Sequence, residues 1–306
     1  MNNIALTENL IEKKAFAKVN LYLKILGKRA DNYHEMFTIM HVIDTIDMPD
    51  MFDIVRVNII AGKYISPVQI NISCTDKSIP TDERNTAYKA ASLYFKYASD
   101  LIDIAECEIN AINIEIDKRI PSQAGLGGGS SDAAAVLLAL NEFFENLFQE
   151  DILIEIAEQI GADVAFFVKM RDVEGAIAIC EGKGEIITPL DTKINLREFK
   201  IDVIKPDCGV STREAFGIFD RLRLDSIDAD VSGFNRTHII NIFQNGDIHE
   251  IAEIMHNDFE DVVMQLNEKD IENAKSELTA RGAIVAQLSG SGSAVFGIFE
   301  KNKKSF

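Results

Sequence analysis

The sequence contains few cysteines, and their positions exclude two kinds of structural site. Its 306 residues include four, which are Cys74, Cys107, Cys180 and Cys208. They lie far apart in the chain, and no Cys-x-x-Cys spacing that would indicate a zinc site occurs. Scattered cysteines of this kind predict reduced thiols in a cytoplasmic protein rather than a disulfide framework.

Basic residues and long apolar runs are also scarce. The 31 lysines and arginines are outnumbered by 49 aspartates and glutamates, which gives a formal net charge of -18. Such a surface should repel nucleic acid and anionic membranes, so any anionic ligand needs a local binding site. No segment approaches the roughly 18 uninterrupted apolar residues of a membrane-spanning helix, and MNNIALTENLIEKK lacks the apolar segment of a signal peptide. The sequence therefore predicts a soluble protein that is not exported.

The composition that remains is that of a globular α/β protein. With 47% hydrophobic and 26% charged residues, the chain is long enough for one large or two ordinary domains. We place a division near residue 172, between an N-terminal domain of residues 1–172 and a C-terminal domain of residues 173–306. Helical patterns are found at 150–161, 238–265 and 268–281, and strand patterns at 112–117, 172–188, 200–207 and 282–299.

A strand that carries polar side chains is predicted near the start of the chain. In KAFAKVNLYLKIL, residues 14–26, apolar residues alternate with Lys18, Asn20, Tyr22 and Lys24. This period is typical of a half-buried strand, so Lys18 and Asn20 should lie on the same face.

The stretch PSQAGLGGGSSDAAA, residues 121–135, indicates a loop that opens a helix. Successive glycines let backbone N–H groups approach a phosphate, and the N-terminus of the helix adds further donors. The serines are able to cap this helix, with Asp132 in its first turn. The motif lacks both the Gly-Lys-Ser/Thr ending of the common nucleotide loop and the G-x-G-x-x-G spacing of dinucleotide-binding proteins. The residues alone leave open a third kind of phosphate loop or a flexible turn.

Several motifs together resemble one family. PSQAGLGGGSS resembles the central motif of the GHMP kinases, which phosphorylate small metabolites, and LSGSGSAVFGIF resembles their C-terminal glycine motif. Four further stretches, AKVNLYLKILGKRADNYHEMFTIMHVID, GADVAFF, EGKGE and NDFE, resemble the branch of this family that acts on a methylerythritol joined to cytidine diphosphate. The resemblance extends from about Ala15 to Phe299.

The chain departs from the family pattern at a few positions. Phe16 stands where proline is usual, Asn32 where glycine is usual, and Ala165 where proline commonly follows Asp-Val. Asparagine tolerates a left-handed turn, so the change at Asn32 should be mild. Ser122, Gln123 and Ala124 replace a more glycine-rich lead-in, which bears on the shape of the loop more than on its role.

The resemblance implies that Asp163 and Lys18 are catalytic. Asp163 matches the aspartate that accepts the proton of the substrate hydroxyl as this attacks the γ-phosphate. Lys18 matches the lysine that balances charge in the transition state. Without the other motifs, Asp163 would be interpreted as a turn residue and Lys18 as a solvated strand lysine.

The resemblance also implies that ATP and Mg²⁺ bind at the glycine loop. Asn85, Thr86 and Lys118 resemble residues of the adenine pocket, and Gly128 is expected to leave room for phosphate. The loop residues expected to hold the triphosphate are Pro121, Ser122, Gln123, Ala124, Gly125, Leu126, Gly127, Gly128, Gly129, Ser130 and Ser131. The sequence does not identify the metal ligands.

For the second substrate, the resemblance implies a cytosine site. Tyr33 and His34 match the pair in which the tyrosine ring stacks on the base and the imidazole hydrogen-bonds to it. Phe216, which follows Thr212 in STREAF, matches the aromatic residue on the other face of the base. Asn20 is expected to orient the diphosphate or the erythritol hydroxyls.

The fold implied by the resemblance is the two-domain GHMP kinase fold, with its active site in the interdomain cleft. The implied reaction is ATP-dependent phosphorylation of the 2-hydroxyl of the cytidine diphosphate methylerythritol, in non-mevalonate isoprenoid precursor synthesis. One alternative is a GHMP kinase for homoserine or mevalonate, which RADNYHE disfavours. Another is an inactive binding protein on the same scaffold, which Lys18 and Asp163 disfavour. No nucleic acid or membrane partner is expected, and the oligomeric state is left open.

Overall fold

The computed structural model describes residues 10–43, 45, 48–63, 66–171, 175–209, 211–223 and 233–301. Its strands confirm the predicted segments and extend them. The strands are β1 Leu10–Lys28, β2 His34–Ile43, β3 Phe52–Ala61, β4 Gln69–Cys74, β5 Ile109–Asp117, β6 Ile177–Gly182, β7 Ile186–Pro189, β8 Phe199–Ile204, β9 His256–Asn257, β10 Val285–Leu288 and β11 Val295–Glu300.

The helices lie between these strands. They are α1 Thr86–Ala98, α2 Gly128–Phe143, α3 Glu150–Glu158, α4 Ala162–Lys169, α5 Thr212–Arg223, α6 Arg236–Asn245, α7 Ile248–Ile254 and α8 Phe259–Ala280. Within the described ranges, none of these helices has both the length and the apolar character needed to span a bilayer.

The single helix predicted over residues 238–265 is in fact three helices. Asp247 starts α7 with a capping box, in which its side chain accepts from the Glu250 backbone and the Glu250 side chain accepts from the Asp247 backbone. Such a cap favours a new helix over continuation of the preceding one. The predicted interruption after residue 265 is smaller than expected, because α8 passes through it with one non-helical residue, Asn267.

The chain forms two compact units that are not consecutive halves. The first unit comprises Met1–Phe16, Phe52–Ile120 and Gly127–Asp172, and the second comprises Ala17–Met51, Pro121–Leu126 and Val173–Phe306. Strand β1 and the glycine loop therefore each contribute residues to both units. A single division at residue 172 does not describe this arrangement.

In the first unit, four strands pair in the order β4, β5, β3, β1. Strand β3 runs antiparallel to both of its neighbours, whereas β4 and β5 are parallel and are connected through α1. Helix α2 packs against β3. Its buried alanines, Ala133 to Ala135, lie in the N-terminal half of the helix, and their small side chains allow this close packing.

A buried cluster of charges connects β3, the end of β5 and α2. Lys118 donates from Nζ to Asp53 and to Asp132, the latter at 2.7 Å, and the three side chains are at most 4% exposed. Asp53 also accepts from the backbone N–H groups of Arg119 and Ile120 at 2.6 and 2.8 Å. The cluster therefore holds the chain where it leaves β5 toward the glycine loop.

Two carboxylates and one ammonium leave this cluster with an excess negative charge. Burial, together with the charge of Asp53, raises the pKa of Asp132 to about 7, although Lys118 acts against this shift. Burial acts to lower the pKa of Lys118, but both carboxylates outweigh it and raise that pKa. One oxygen of Asp132, Oδ1, is buried without a hydrogen-bond partner.

The second unit contains the remainder of β1 and two sets of paired strands. Residues of β1 from Ala17 onward pair with β2, which pairs with β6, which pairs with β7, all antiparallel. A separate antiparallel sheet has the order β10, β11, β8. Helix α8 packs on β10 and β11, and α5 packs on α8, around a core that includes Phe219 and Phe259.

The half-buried character predicted for β1 is wrong for its second part. Every residue from Ala17 to Ile25 is buried, on both faces of the strand, and Lys18 and Asn20 are 4% and 3% exposed. The polar residues that alternate along the strand are therefore not directed to solvent. Because a buried ammonium requires polar partners, this burial excludes the interpretation of Lys18 as a solvated strand lysine.

We expect Asp132→Asn to remove a pH dependence of stability. Because the pKa of Asp132 is raised above the roughly 3.9 of an unfolded aspartate, the native state binds more protons between those two values. This carboxyl therefore makes stability fall as pH rises through that interval. Thermal unfolding measured from about pH 5.5 to about pH 7.5 should show a shallower fall in Tm for the variant than for the parent protein.

The exposed Asp100→Asn, in the same unit, is the matched control and should leave the pH profile of Tm unchanged. Equal pH profiles for Asp132→Asn and the parent protein would contradict the raised pKa.

Candidate active site

In the second unit, Lys18 begins a chain of directed hydrogen bonds. Its Nζ donates to Asn20 Oδ1 at 2.5 Å, Asn20 Nδ2 donates to Thr38 Oγ1 at 2.8 Å, and that hydroxyl donates to the Tyr22 carbonyl at 2.7 Å. The hydroxyl of Thr38 uses its proton on the carbonyl and can only accept from Asn20, which fixes the orientation of the amide. Asn20 is thereby held with its oxygen toward the lysine.

Two glycine-rich segments of the second unit meet beside this lysine. Gly125 has a φ of +74°, and a Cβ on it would lie 2.0 Å from the Ser289 carbonyl oxygen. Ser289 Oγ donates to the Gly125 carbonyl at 3.0 Å, and the Ala294 N–H donates to the Ala124 carbonyl at 3.1 Å. The backbone of the first loop is therefore in direct contact with the backbone of the C-terminal loop, which only glycine permits at residue 125.

Both loops reach Lys18. The Lys18 N–H donates to the Leu126 carbonyl at 3.0 Å. A Cβ on Gly290, which has a φ of +52°, would lie 3.2 Å from Lys18 Nζ and 3.3 Å from Asn20 Oδ1. Asn257 holds this second loop by donating to the Leu288 and Gly290 carbonyls, each at 2.9 Å. The buried lysine thus contacts the first glycine-rich segment through its backbone N–H, and its ammonium lies beside Gly290 of the second.

The expected cytosine-binding residues lie at a tight turn between β1 and β2. Asn32 adopts a φ of +67°, which confirms that asparagine takes the left-handed position. Tyr33 follows it and is 58% exposed, with Lys183 Nζ 5.0 Å from the centre of its ring. An exposed ring beside a cation is suited to stacking against a planar, polar ligand.

The neighbouring residue, His34, is arranged differently. It is buried and lies on Phe216, with ring centroids 4.5 Å apart and an interplanar angle of 16°. Its Nε2 lies 2.7 Å from Asp220 Oδ1. The imidazole therefore covers one face of Phe216, so Phe216 does not present that face to a base here. Thr212, in the same helix, contacts the Ser291 hydroxyl of the C-terminal glycine loop at 3.1 Å.

In the first unit, helix α2 begins earlier than the sequence predicts. Gly127 is the N-cap, with a φ of +72°, and no side chain caps the helix, so Ser130 and Ser131 lie inside it and Asp132 lies beyond its first turn. Without a side-chain cap, the first N–H groups of the helix lack the acceptor that serine or aspartate usually provides. This helix start is suited to binding an anion.

The role expected for Gly128 needs correction. Gly128 is buried, and a Cβ on it would lie 2.9 Å from Lys118 Nζ and 3.0 Å from Ile120 Cγ2. The glycine is therefore needed for contact with the chain leaving β5. By contrast, Gly129 is exposed, and a Cβ on it would make only an ordinary contact of 3.4 Å with Thr86 Oγ1.

The expected adenine-pocket residues each have a structural partner. Asn85 caps α1 by accepting from the Ala87 N–H at 2.8 Å, and Thr86 donates to the Gly129 carbonyl at 2.7 Å, which ties α1 to the start of α2. Lys118 is bound by the two carboxylates described above. These contacts give each of the three residues a structural role that requires no nucleotide. Their roles toward adenine stay predictions.

Asp163 lies in the first turn of α4, whose N-cap is Gly161. A carboxylate at this position is favoured by the helix dipole. The segment ADVAFFV is therefore a helix, in which Val164 to Val168 are buried and Asp163 is partly exposed.

No group of three or more histidine, cysteine, aspartate or glutamate side chains that could hold a metal ion occurs within the described ranges. A magnesium ion that enters with a nucleotide needs few protein ligands, because it keeps waters and binds the phosphates.

The residues that the sequence analysis missed are mostly partners of predicted ones. Thr38, Asp53, Asp220 and Asn257 each hold a predicted residue or a glycine loop. Asp53 had a signal in the sequence, because a charged residue inside the apolar segment MFDIV is unusual. Thr38 had the same kind of signal, as a polar residue inside the apolar segment MFTIM, and Asn257 lies in NDFE, one of the stretches that carry the family resemblance. Asp220 lies among other charged residues and had no such signal.

Comparisons with known proteins agree on one family. The N-terminal domain of the GHMP kinases matches residues 85–170, and their C-terminal domain matches residues 239–305. The 4-diphosphocytidyl-2-C-methyl-D-erythritol kinase of Clostridium perfringens (strain SM101 / Type A) is 38% identical over 293 residues, which is 95% of this chain and 89% of the relative. The enzyme of the same name from Clostridium botulinum (strain Hall / ATCC 3502 / NCTC 13319 / Type A) is 36% identical over 293 residues, which is 95% of this chain and 92% of that relative.

Solved structures show the same fold. A crystal structure of 4-(cytidine 5'-diphospho)-2C-methyl-D-erythritol kinase has a TM-score of 0.66 at 28% identity, over 94% of this chain and 90% of that one. The mevalonate kinase of L. major, in complex with R-mevalonate, has a TM-score of 0.68 at 16% identity, over 97% of this chain and 90% of that one, a likeness of fold alone. On the domain matches and the identity to these relatives, the chain belongs to the GHMP kinases and, among them, to the family of 4-diphosphocytidyl-2-C-methyl-D-erythritol kinases.

Proposed function

We propose that this chain transfers the γ-phosphoryl group of ATP to the 2-hydroxyl of 4-diphosphocytidyl-2-C-methyl-D-erythritol, in non-mevalonate isoprenoid precursor synthesis. The relatives that are 36–38% identical along most of the chain carry the name of this kinase. The observation that carries the proposal is the buried Lys18, whose ammonium donates to Asn20 beside Gly290 of the C-terminal loop and whose backbone N–H donates to the first glycine loop. The free thiols of all four cysteines support a cytoplasmic enzyme.

The glycine loop is assigned to the triphosphate. Its helix, α2, starts without a side-chain cap, which leaves backbone N–H groups for phosphate oxygens. A protein with a net charge of -18 needs such local donors to hold a polyanion. Mg²⁺ would arrive with the nucleotide and neutralise charge on its phosphates. Ser130 and Ser131, in the first turn of α2, are the hydroxyls nearest to the uncapped helix start in sequence.

Asp163 and Lys18 are assigned to the transfer step. Asp163 accepts the proton of the attacking hydroxyl, and the Lys18 ammonium stabilises the charge that develops in the transition state. Phosphoryl transfer depends mainly on positioning and on charge stabilisation, so one base, one cation and a phosphate loop suffice. Asn20 positions the lysine through its own bond to Thr38.

The turn between β1 and β2 is assigned to cytosine. The exposed ring of Tyr33 stacks on the base, and the edge of His34 hydrogen-bonds to it. Phe216 supports His34 from behind, and stacking of Phe216 on the base itself would require His34 to leave the face it covers. Thr212, joined to Ser291, connects this helix to the C-terminal glycine loop.

A panel of alcohols tests the assignment of the substrate. We expect the protein to phosphorylate the cytidine compound with a kcat/KM that exceeds that of the uridine analogue by roughly 10² or more, because a site that hydrogen-bonds one base edge rejects the other. Coupled measurement of ADP release should show no turnover of homoserine or mevalonate. Efficient use of either alcohol would assign the protein to another branch of the family, and no ATP turnover with any alcohol would indicate an inactive binding protein.

Asp163→Asn tests the general base. We expect kcat to fall by roughly 10² to 10⁴, the usual effect of losing a general base, with the Kd of both substrates nearly unchanged. Single-turnover measurement by rapid quench isolates the chemical step. The exposed Asp151→Asn, in the same unit, is the control and should keep full activity. A fall of less than about tenfold in the chemical step would leave Asp163 without this role.

Tyr33→Ala tests the stacking platform without disturbing the core, because the ring is 58% exposed. Loss of a base–aromatic stack typically costs about 1–3 kcal/mol, so the Kd of the cytidine substrate should rise by about five-fold to 150-fold. Calorimetric titration should show an unchanged Kd for ATP. Leu101→Ala, which removes another exposed apolar side chain, is the control. An unchanged Kd for the cytidine substrate would exclude stacking on Tyr33.

A further inference from the structure

Asp220, in α5, binds two donors with its two carboxylate oxygens. Lys28 Nζ lies 2.6 Å from Oδ2, and His34 Nε2 lies 2.7 Å from Oδ1. Partial burial acts to raise the pKa of Asp220, but the hydrogen bonds from Lys28 and His34 outweigh it and lower that pKa. The carboxyl is therefore ionised at neutral pH and can only accept hydrogen bonds.

The ring of His34 cannot turn freely to find other partners. Phe216 covers one face at 4.5 Å, and Phe219 contacts the ring at 6.2 Å with an interplanar angle of 88°. Both neighbours are apolar, so they offer no competing hydrogen bond. Among the described residues, the hydrogen bond of the imidazole is the one to Asp220.

We propose that Asp220 is a positioning residue for base specificity: it holds the proton of His34 on Nε2 and so presents Nδ1 as an acceptor for the exocyclic amino group of cytosine. This inference rests on the proposed function and assigns a role to a residue outside the expected base-binding set. In a neutral imidazole, one nitrogen donates and the other accepts. When the ring is neutral, an acceptor-only carboxylate at Nε2 therefore leaves the lone pair on Nδ1.

The two pyrimidines differ at the atom that this lone pair would meet. Cytosine carries an amino donor at C4, whereas uracil carries a carbonyl acceptor there. An Nδ1 acceptor forms a hydrogen bond with the amino group of cytosine. With uracil, the lone pair of Nδ1 would face a lone pair of the carbonyl oxygen, and the two repel. By fixing the tautomer of His34, Asp220 makes the site bind cytosine more tightly than uracil, although Asp220 does not contact the base.

Lys28 makes an amide substitution informative. An ammonium only donates, so in Asp220→Asn the single carbonyl oxygen of the amide is drawn to Lys28, and its NH₂ group faces His34 Nε2. Nε2 must then accept, which moves the proton to Nδ1. Replacing the carboxylate partner of a histidine by an amide produces this wrong tautomer.

Three variants test the proposal through the ratio of kcat/KM for the cytidine and uridine compounds. Asp220→Asn should lower this ratio by about tenfold or more, mainly through KM, because one base-edge interaction is lost for cytosine and gained for uracil. Lys28→Met, which keeps the carboxylate, should retain the preference for cytidine. The double variant, Asp220→Asn with Lys28→Met, should regain turnover of the cytidine compound. Without the lysine, the amide oxygen of residue 220 is free to turn toward His34 and accept from Nε2.

A spectroscopic measurement on the substrate-free protein separates this inference from the proposed function. Two-bond ¹H–¹⁵N spectra of the histidine rings, assigned through His34→Gln, should show the Nε2–H tautomer in the parent protein and the Nδ1–H tautomer in Asp220→Asn. If the parent protein does not phosphorylate the cytidine compound, the proposed function fails whatever the tautomer. If it does, and Asp220→Asn keeps both the tautomer and the cytidine preference, the role of Asp220 is overturned.

Discussion

The backbone contact between Gly125 and Ser289 is the constraint on which the arrangement of the second unit depends. A side chain at residue 125 would place its Cβ 2.0 Å from the Ser289 carbonyl oxygen, so the two loops can meet only because the chain has a glycine there. Two hydrogen bonds, from Ser289 Oγ and from the Ala294 N–H, complete this contact. The segment before α2 is thereby held by the C-terminal part of the chain.

The position of Lys18 follows from the same contact. Its N–H is bonded to the first loop, and Gly290 of the second loop approaches its ammonium. Asn257 fixes the second loop, and the next residue, Asp258, accepts from Lys24, His256 and the Ile25 N–H with a side chain that is fully buried. Burial acts to raise the pKa of Asp258, but these donors outweigh it and lower that pKa. The motif NDFE therefore connects β1, through Asp258, to the C-terminal glycine loop, through Asn257.

Electrostatics in this chain are local. A net charge of -18 opposes anionic ligands over the whole surface, and the features suited to phosphate and base are backbone N–H groups, single lysines and aromatic rings placed by neighbours. Lys118, with Asp53 and Asp132, holds the chain before α2, and Asp220 holds the imidazole of His34. In both places a buried or half-buried carboxylate fixes the position of a neighbouring lysine or imidazole side chain.

The sequence alone determined the order of most strands and helices, the glycine loop that precedes α2, the left-handed turn at Asn32 and the family of the chain, because these depend on local periodicity, backbone freedom and short motifs. It did not determine that Lys18 is buried, that the glycine at 128 serves packing against Lys118 and Ile120, or that His34 lies on Phe216. Those features arise from residues distant in the chain. Local patterns also could not show that β1 and the glycine loop each contribute to both compact units. Only tertiary packing decides which neighbour surrounds a polar side chain, since burial and hydrogen-bond partners are set by contacts that no local period encodes.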